Sequence, residues 1–295
     1  MSRCTALTLD ELKRHRLPPI EEADKDAHGK LLLIAGSGQT PGSATISATA
    51  AMRAGSGKVS IATVEPMAPH IAMAVPEALV IALPAGRDGG ISNGAVPRIV
   101  ELVDRYDAIV AGPGMKQGKP CEHLARQLLR TGFGRLALDA AMLYALPRHH
   151  AAARDAPMPI LLPHDREMAA LIGCEEDDVS RQPLRCGQQC AERYGALVLV
   201  KGPQSHIVAP DGSAWKYPGG GPGLGISGSG DTLAGILGGL LARGGEPLAA
   251  LLWATWLHGE AGRSLAAKVG KIGFLAREIS AEVPALLEKA QPSLE

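Results

Sequence analysis

Aromatic residues are scarce: two Phe, four Tyr and three Trp make up 3% of the 295 residues. So few rings leave little for the stacking platforms that single-stranded nucleic acid needs. Charge of one sign is missing as well, because 30 basic residues offset 30 acidic ones. No basic excess is available for a polyanionic polymer. The cysteines are Cys4, Cys121, Cys174, Cys186 and Cys190, an odd count without a Cys-x-x-Cys pair. Cys186 and Cys190 share a helix face, yet no second His/Cys pair completes a metal site, so both are expected as buried thiols. That usage fits a reducing cytoplasm. Apolar runs long enough for a membrane span are absent. The N-terminus carries Asp10, Glu11, Glu21 and Glu22 and shows no apolar stretch of a secretory signal.

What is present is an ordinary globular balance, 46% hydrophobic and 20% charged, enough for a sizeable core. Short apolar runs alternate with helical patterns. The expected strands are 31–35, 59–63, 79–83, 108–111, 136–139, 160–162 and 197–200, then a hairpin of 207–209 and 214–217 around Pro210-Asp211-Gly212. A helix is expected over 43–54, and two long helices, about 229–243 and 247–267, to close the chain. Alternation of this kind predicts an α/β domain with a mostly parallel central sheet and helices on both faces. Residues 29–295 read as one such domain, preceded by a polar arm with a short helix over 1–28. Ligands of such sheets lie beyond the carboxyl ends of the strands.

The most informative stretch is Gly219 to Ala242, GGGPGLGISGSGDTLAGILGGLLA. A glycine-rich loop runs straight into an apolar helical pattern, with Asp231 at the junction. Glycines let backbone approach a ligand closely. The free N–H groups at Gly228, Ser229 and Gly230, at the positive end of the helix dipole, favour phosphate oxygens. A carboxylate beside an anion cradle repels phosphate unless it handles a proton on a hydroxyl near the transferred group. Capping of the helix is the plainer role for Asp231. Two further loops follow strands in the same way. Pro163-His164-Asp165-Arg166-Glu167 opens a helix, where Glu167 either caps it or orients a metal-bound water. Lys201-Gly202-Pro203-Gln204-Ser205 puts an ammonium after a strand, in a loop expected to be exposed.

Seven ordered segments carry a resemblance: HGKLLLIAGSG at 28–38, AAMRAGSGKVSIAT at 50–63, AIVAGPGM at 108–115, LALDA at 136–140, LLPHDREMAALIG at 161–173, VLVKG at 198–202 and GSGDTLAGIL at 228–237. Together they resemble the ADP/ATP-dependent NAD(P)H-hydrate dehydratases, repair enzymes of the ribokinase-like superfamily, from about Lys25 to Leu287. The resemblance implies a three-layer α/β/α ribokinase-like fold. It implies Asp231 as the catalytic base and Ser43, Gly114, His164 and Asp231 as substrate contacts. For the nucleotide it implies Lys201, Gly202, Pro203, Gln204, Ser205, Gly228, Ser229 and Gly230, with Glu167 meeting Mg²⁺ through water. The chain departs from the family pattern at Ser43 (usually Ala), at Asp165 and Arg166 (usually Pro-Gly), at Gly221 (often Asn) and at Ile226 (often Thr or Ser). Asp139 matches the first acid of a DAD-like motif whose second acid is Ala141 here.

The implied activity is a hydro-lyase reaction: ADP or ATP phosphorylates the ring hydroxyl of hydrated NADH or NADPH, and phosphate then leaves. The implied partners are adenine nucleotide with Mg²⁺, a separate epimerase chain, and copies of the chain itself in a homo-oligomer, often a tetramer. Two other functions use the same residues. One is a small-molecule alcohol kinase acting on a sugar, thiazole or pyrimidine without elimination. The other is a nucleotide-binding protein with little turnover.

Overall fold

The computed structural model describes residues 4–19, 28–147 and 157–290. In chain order the elements are β1 (Cys4–Ala6), α1 (Leu9–Leu12), β2 (Lys30–Ile34), α2 (Gly42–Arg53), β3 (Lys58–Val64), α3 (Ala68–Ala74), β4 (Leu79–Leu83), α4 (Ala95–Val100), β5 (Ala108–Ala111), α5 (Lys119–Arg130) and β6 (Leu136–Leu138). They continue as α6 (Ala141–Tyr144), β7 (Ile160–Leu161), α7 (Asp165–Ile172), α8 (Glu176–Arg181), α9 (Pro183–Tyr194), β8 (Leu197–Val200), β9 (Ser205–Val208), β10 (Ala214–Tyr217), α10 (Ser229–Ala242), α11 (Pro247–Lys268) and α12 (Ala276–Ala290).

The strands form one ten-stranded sheet in the order β1-β10-β9-β8-β7-β6-β5-β2-β3-β4. Only β9 runs against its neighbours, so the sheet is mostly parallel as expected. Side chains alternate across a strand. On β2, Leu31 and Leu33 therefore enter one core while Leu32 and Ile34 enter the other. The first core is closed by α2, α10, α11 and α12, the second by α4, α5, α7 and α9. This is the three-layer α/β/α arrangement.

Close packing of the small-residue helices explains the low aromatic content. α10 is buried almost throughout. Its Gly235 and Gly239 face the backbone of Ser47 and Ala51 on α2, where a Cβ would collide. Three long helices, not two, close the chain. Ile279, Val283 and Leu287 repeat every four residues along α12 and are buried, but Pro284 interrupts the pattern.

The arm is also more than a short helix. β1 extends the sheet by pairing in parallel with β10, Cys4 opposite Ala214. Leu7, Leu12 and Leu17 are buried in the first core. Trp215 donates its indole N–H to Glu11 Oε1 at 3.0 Å, and Trp253 donates to the His15 carbonyl at 2.7 Å. Cys186 and Cys190 are the buried thiols expected, and burial pushes them up to about 11 and about 12. Among the described residues no helix is long and apolar enough to cross a membrane.

The strand order reverses between β2 and β5. From there the chain runs outward through β3 and β4 on one side and through β6, β7 and β8 on the other. In sheets of this kind ligands lie beyond the carboxyl ends of the strands at such a reversal, here β2 and β5.

Candidate active site

Every motif loop lands on that edge. Gly36 N–H donates to the Pro113 carbonyl at 2.8 Å, and Thr40 Oγ1 donates to the Gly114 carbonyl at 2.7 Å. The loops after β2 and β5 are thus stitched together at the crevice. Gly114 lies against Ser43, whose Cβ would sit 2.5 Å from a Cβ placed there. Gly112 has φ +129° and faces the Asp139 carbonyl. A side chain at Gly112 would meet that carbonyl in a backbone conformation that L residues avoid. Gly112→Ala is expected to lower stability by about 2–3 kcal/mol, read from the denaturant midpoint.

Asp231 lies in the first turn of α10, behind Gly228, which caps the helix at φ +89°. It is partly buried, and its backbone carbonyl accepts from Ser47 Oγ at 2.9 Å. The capping role is not observed, since no side chain caps α10. Burial raises the Asp231 carboxyl above the usual range. A hydrogen bond from Ser43 and the charge of Lys201 oppose that rise, while Asp139 adds to it. The Ser43 hydroxyl thus stands beside the carboxylate, where the usual Ala would offer no donor.

Lys201 is not the exposed loop cation expected. It follows β8 inside the sheet, and its side chain is 18% exposed. Its Nζ donates to Asp139 Oδ1 at 2.7 Å and lies 3.8 Å from Glu167 Oε2. Burial alone would lower its pKa, but Asp139, Glu167 and Asp231 together raise it, so the ammonium is held charged. A Cβ on Gly230 would lie 3.7 Å from the same Nζ. Lys201 therefore joins the strand ends to the start of α10.

Glu167 does cap. Its Oε2 accepts from His164 N at 2.9 Å, and the His164 ring nitrogen Nδ1 accepts from the N–H groups of Arg166 and Glu167. Burial raises the Glu167 carboxyl against the opposing charge of Lys201. The departure at Asp165 has a structural use, since its carboxylate accepts from Ser180 Oγ at 2.6 Å. Among the described residues no group of three His, Cys, Asp or Glu side chains is placed to hold a metal ion. A cation ligated wholly by protein does not fit. A Mg²⁺ carried by nucleotide phosphates needs only one or two carboxylates; Glu167, set behind His164 and outside the cavity wall, would face such an ion only through water.

A cavity of about 1230 Å³ opens on the other side of Lys201. His164, Lys201, Gly202, Pro203, Ser205, Ser229 and Gly230 line it, with the glycine loop 219–225 and the α11 residues Thr255, His258, Gly259 and Arg263. Gln204 and Gly228 are not in its wall, and Ser205 opens β9. Ser43, Gly114 and Asp231 stand apart at the crevice. The predicted residues thus fall into two compartments that meet where Gly230 joins Asp231.

Two features escaped sequence reasoning as site elements, and a third, Asp139, is matched there to a motif but without its partner. Asp139 has no legible partner in sequence, because Lys201 is 62 residues away. Ala140, next to it, has φ +48°, the only positive φ outside glycine among the described residues. Such strain gathers at functional sites. His258, which reaches Ser229 from the middle of α11, carries no local pattern at all.

Known proteins resemble the chain over nearly its whole length. An ADP-dependent (S)-NAD(P)H-hydrate dehydratase of Xanthomonas campestris is 39% identical over 287 residues, 97% of each chain. A bifunctional NAD(P)H-hydrate repair enzyme of Moorella thermoacetica is 31% identical over 96% of this chain and 54% of its own. The crystal structure of the ADP/ATP-dependent NAD(P)H-hydrate dehydratase from Bacillus subtilis, co-crystallised with ATP/Mg²⁺, superposes with a TM-score of 0.84 at 26% identity, covering 99% of this chain and all of that one. The model of the NAD(P)H-hydrate dehydratase family matches residues 31–285, and on that match and the 39% identical relative the chain belongs to this family.

Proposed function

We propose that the chain dehydrates hydrated NADH or NADPH at the expense of ADP or ATP, with Asp231 as the base. The observation that carries this reading is the placement of Asp231. It stands in the helix turn between a nucleotide-sized cavity and the switch-point crevice, buried enough to raise its pKa and within the field of Lys201. The names of the Xanthomonas and Bacillus relatives support the substrate and the nucleotide.

In this scheme the nucleotide fills the cavity and directs its terminal phosphate at the amides of Ser229 and Gly230. The hydrated ring lies against the surface that Ser43 and Gly114 form together, on the side that Asp231 faces. Asp231 takes the proton from the ring hydroxyl as its oxygen bonds to phosphorus. The nucleotide leaves one phosphate shorter. The C–O bond then breaks, and phosphate departs with the former hydroxyl oxygen. Loss of a proton from the neighbouring carbon restores the double bond. Positioning and electrostatics supply most of such catalysis. Lys201, fixed by Asp139, holds positive charge beside the cradle. His164, implied by the resemblance as a substrate contact, lines the nucleotide cavity instead, apart from Ser43 and Gly114. Mg²⁺, when bound, would neutralise charge on the phosphates, with Glu167 facing it through water. The same reading takes the chain as a cytoplasmic homo-oligomer that works with a separate epimerase; fusion proteins such as the Moorella repair enzyme motivate that pairing.

Incubation with hydrated NADH and ADP, ATP or no nucleotide tests the reading. Absorbance of the reduced nicotinamide should return only with nucleotide. A stable phosphate ester without recovery of that absorbance would instead identify an alcohol kinase.

A further inference from the structure

The first turn of α10 is held from the side by α11. His258 Nε2 lies 3.0 Å from Ser229 Oγ and 3.1 Å from the Ser229 carbonyl. A carbonyl oxygen can only accept, so Nε2 must carry the proton. Burial pushes the imidazole down to about 4, which keeps it neutral. The single N–H then faces both acceptors of Ser229. Since Ser229 Oγ accepts from His258, its own hydrogen is free to point elsewhere. Ser229 and His258 both line the nucleotide cavity. Gly259 next on α11 lies against Tyr217, and Arg263 donates to the Gly219 carbonyl at 2.8 Å. α11 thus touches the glycine loop at Gly219, Gly220 and Leu224 as well as the start of α10.

We infer that His258 is a positioning residue, which turns the Ser229 hydroxyl into a directed donor toward a phosphate oxygen in the cavity. The inference rests on the proposed nucleotide site. The His258 imidazole itself need not touch phosphate, because Ser229 makes the contact.

Direct binding of ADP and of adenosine to wild type and to variants separates the possibilities. His258→Leu removes the donor. His258→Asn keeps a polar group but is too short to reach Ser229. His258→Gln restores an N–H at the Nε2 position. For His258→Leu, His258→Asn and Ser229→Ala, the ADP dissociation constant should rise about ten-fold, the scale of one hydrogen bond to a charged group. His258→Gln should stay within about three-fold of wild type. Adenosine has no phosphate, so its affinity should be unchanged throughout. Ser229→Ala combined with His258→Leu should be no worse than either alone. Additive losses, a parallel fall in adenosine affinity, or unchanged ADP binding in His258→Leu or His258→Asn would overturn the inference. If His258→Leu does not fold, His258→Asn carries the same comparison. Failure of the wild type to bind ADP would overturn the dehydratase reading and this inference with it. Wild-type binding with unaffected variants would overturn this inference alone.

Discussion

Asp231→Asn is expected to lower turnover by at least about two orders of magnitude, the scale of lost general acid–base help, while ADP and ATP still bind. The amide is isosteric but cannot take the proton from the ring hydroxyl. The cavity proposed for the nucleotide is lined by Ser229, Gly230 and the β8–β9 loop, not by this carboxylate. The pH profile carries a second sign of the same group. A base acts when deprotonated, so activity falls as pH drops through its pKa. Burial raises the Asp231 pKa, so the acid limb of kcat should lie above the ordinary value for Asp of about 3.9. Ser43→Ala removes a hydrogen bond that opposes the rise and should move that limb further up. Near-wild-type turnover in Asp231→Asn, or an acid limb that survives it unchanged, would remove Asp231 from the mechanism.

Lys201→Met is expected to be the most destabilising single change at the site. Asp139 and Glu167 are only 3% and 5% exposed at their side chains and share this one ammonium. Removing it leaves two buried carboxylates without a paired ammonium, Glu167 keeping only its contacts with His164. Breaking a buried pair in this way costs about 3–5 kcal/mol. Equilibrium denaturation should show that loss, and activity should fall with it. The double variant Asp139→Asn, Lys201→Met should recover part of the stability, because one stranded charge is gone. Activity should not return, since the charge beside the cradle is still missing. A Lys201→Met variant as stable as wild type would mean that the cluster does not act as a unit.

Much of this site was readable in the chain because its parts are local. Leu31 to Ile34 can only be a strand covered on both faces, and Gly228 to Asp231 places a carboxylate at a helix start without tertiary information. What stayed hidden depends on distance. Asp139 meets Lys201 across three parallel strands, and only the completed sheet shows that the lysine is buried. Sequence treats it as a loop cation because a Lys-Gly pair after a strand usually lies in solvent. β1 is three residues long and too short to show alternation. α12 had a usable signal in Ile279, Val283 and Leu287, but Pro284 reads as a breaker. Ser43 illustrates a third limit. It looks like a small-for-small exchange, yet its hydroxyl acts on Asp231 from another element.

The proposed mechanism requires transfer of phosphorus to the oxygen that Asp231 deprotonates. Hydrated NADH labelled with ¹⁸O at the ring hydroxyl, turned over with unlabelled nucleotide in ordinary water, reads this directly by mass spectrometry of the released phosphate. One ¹⁸O in each phosphate is the expected result. Label lost to water, with unlabelled phosphate, would contradict it.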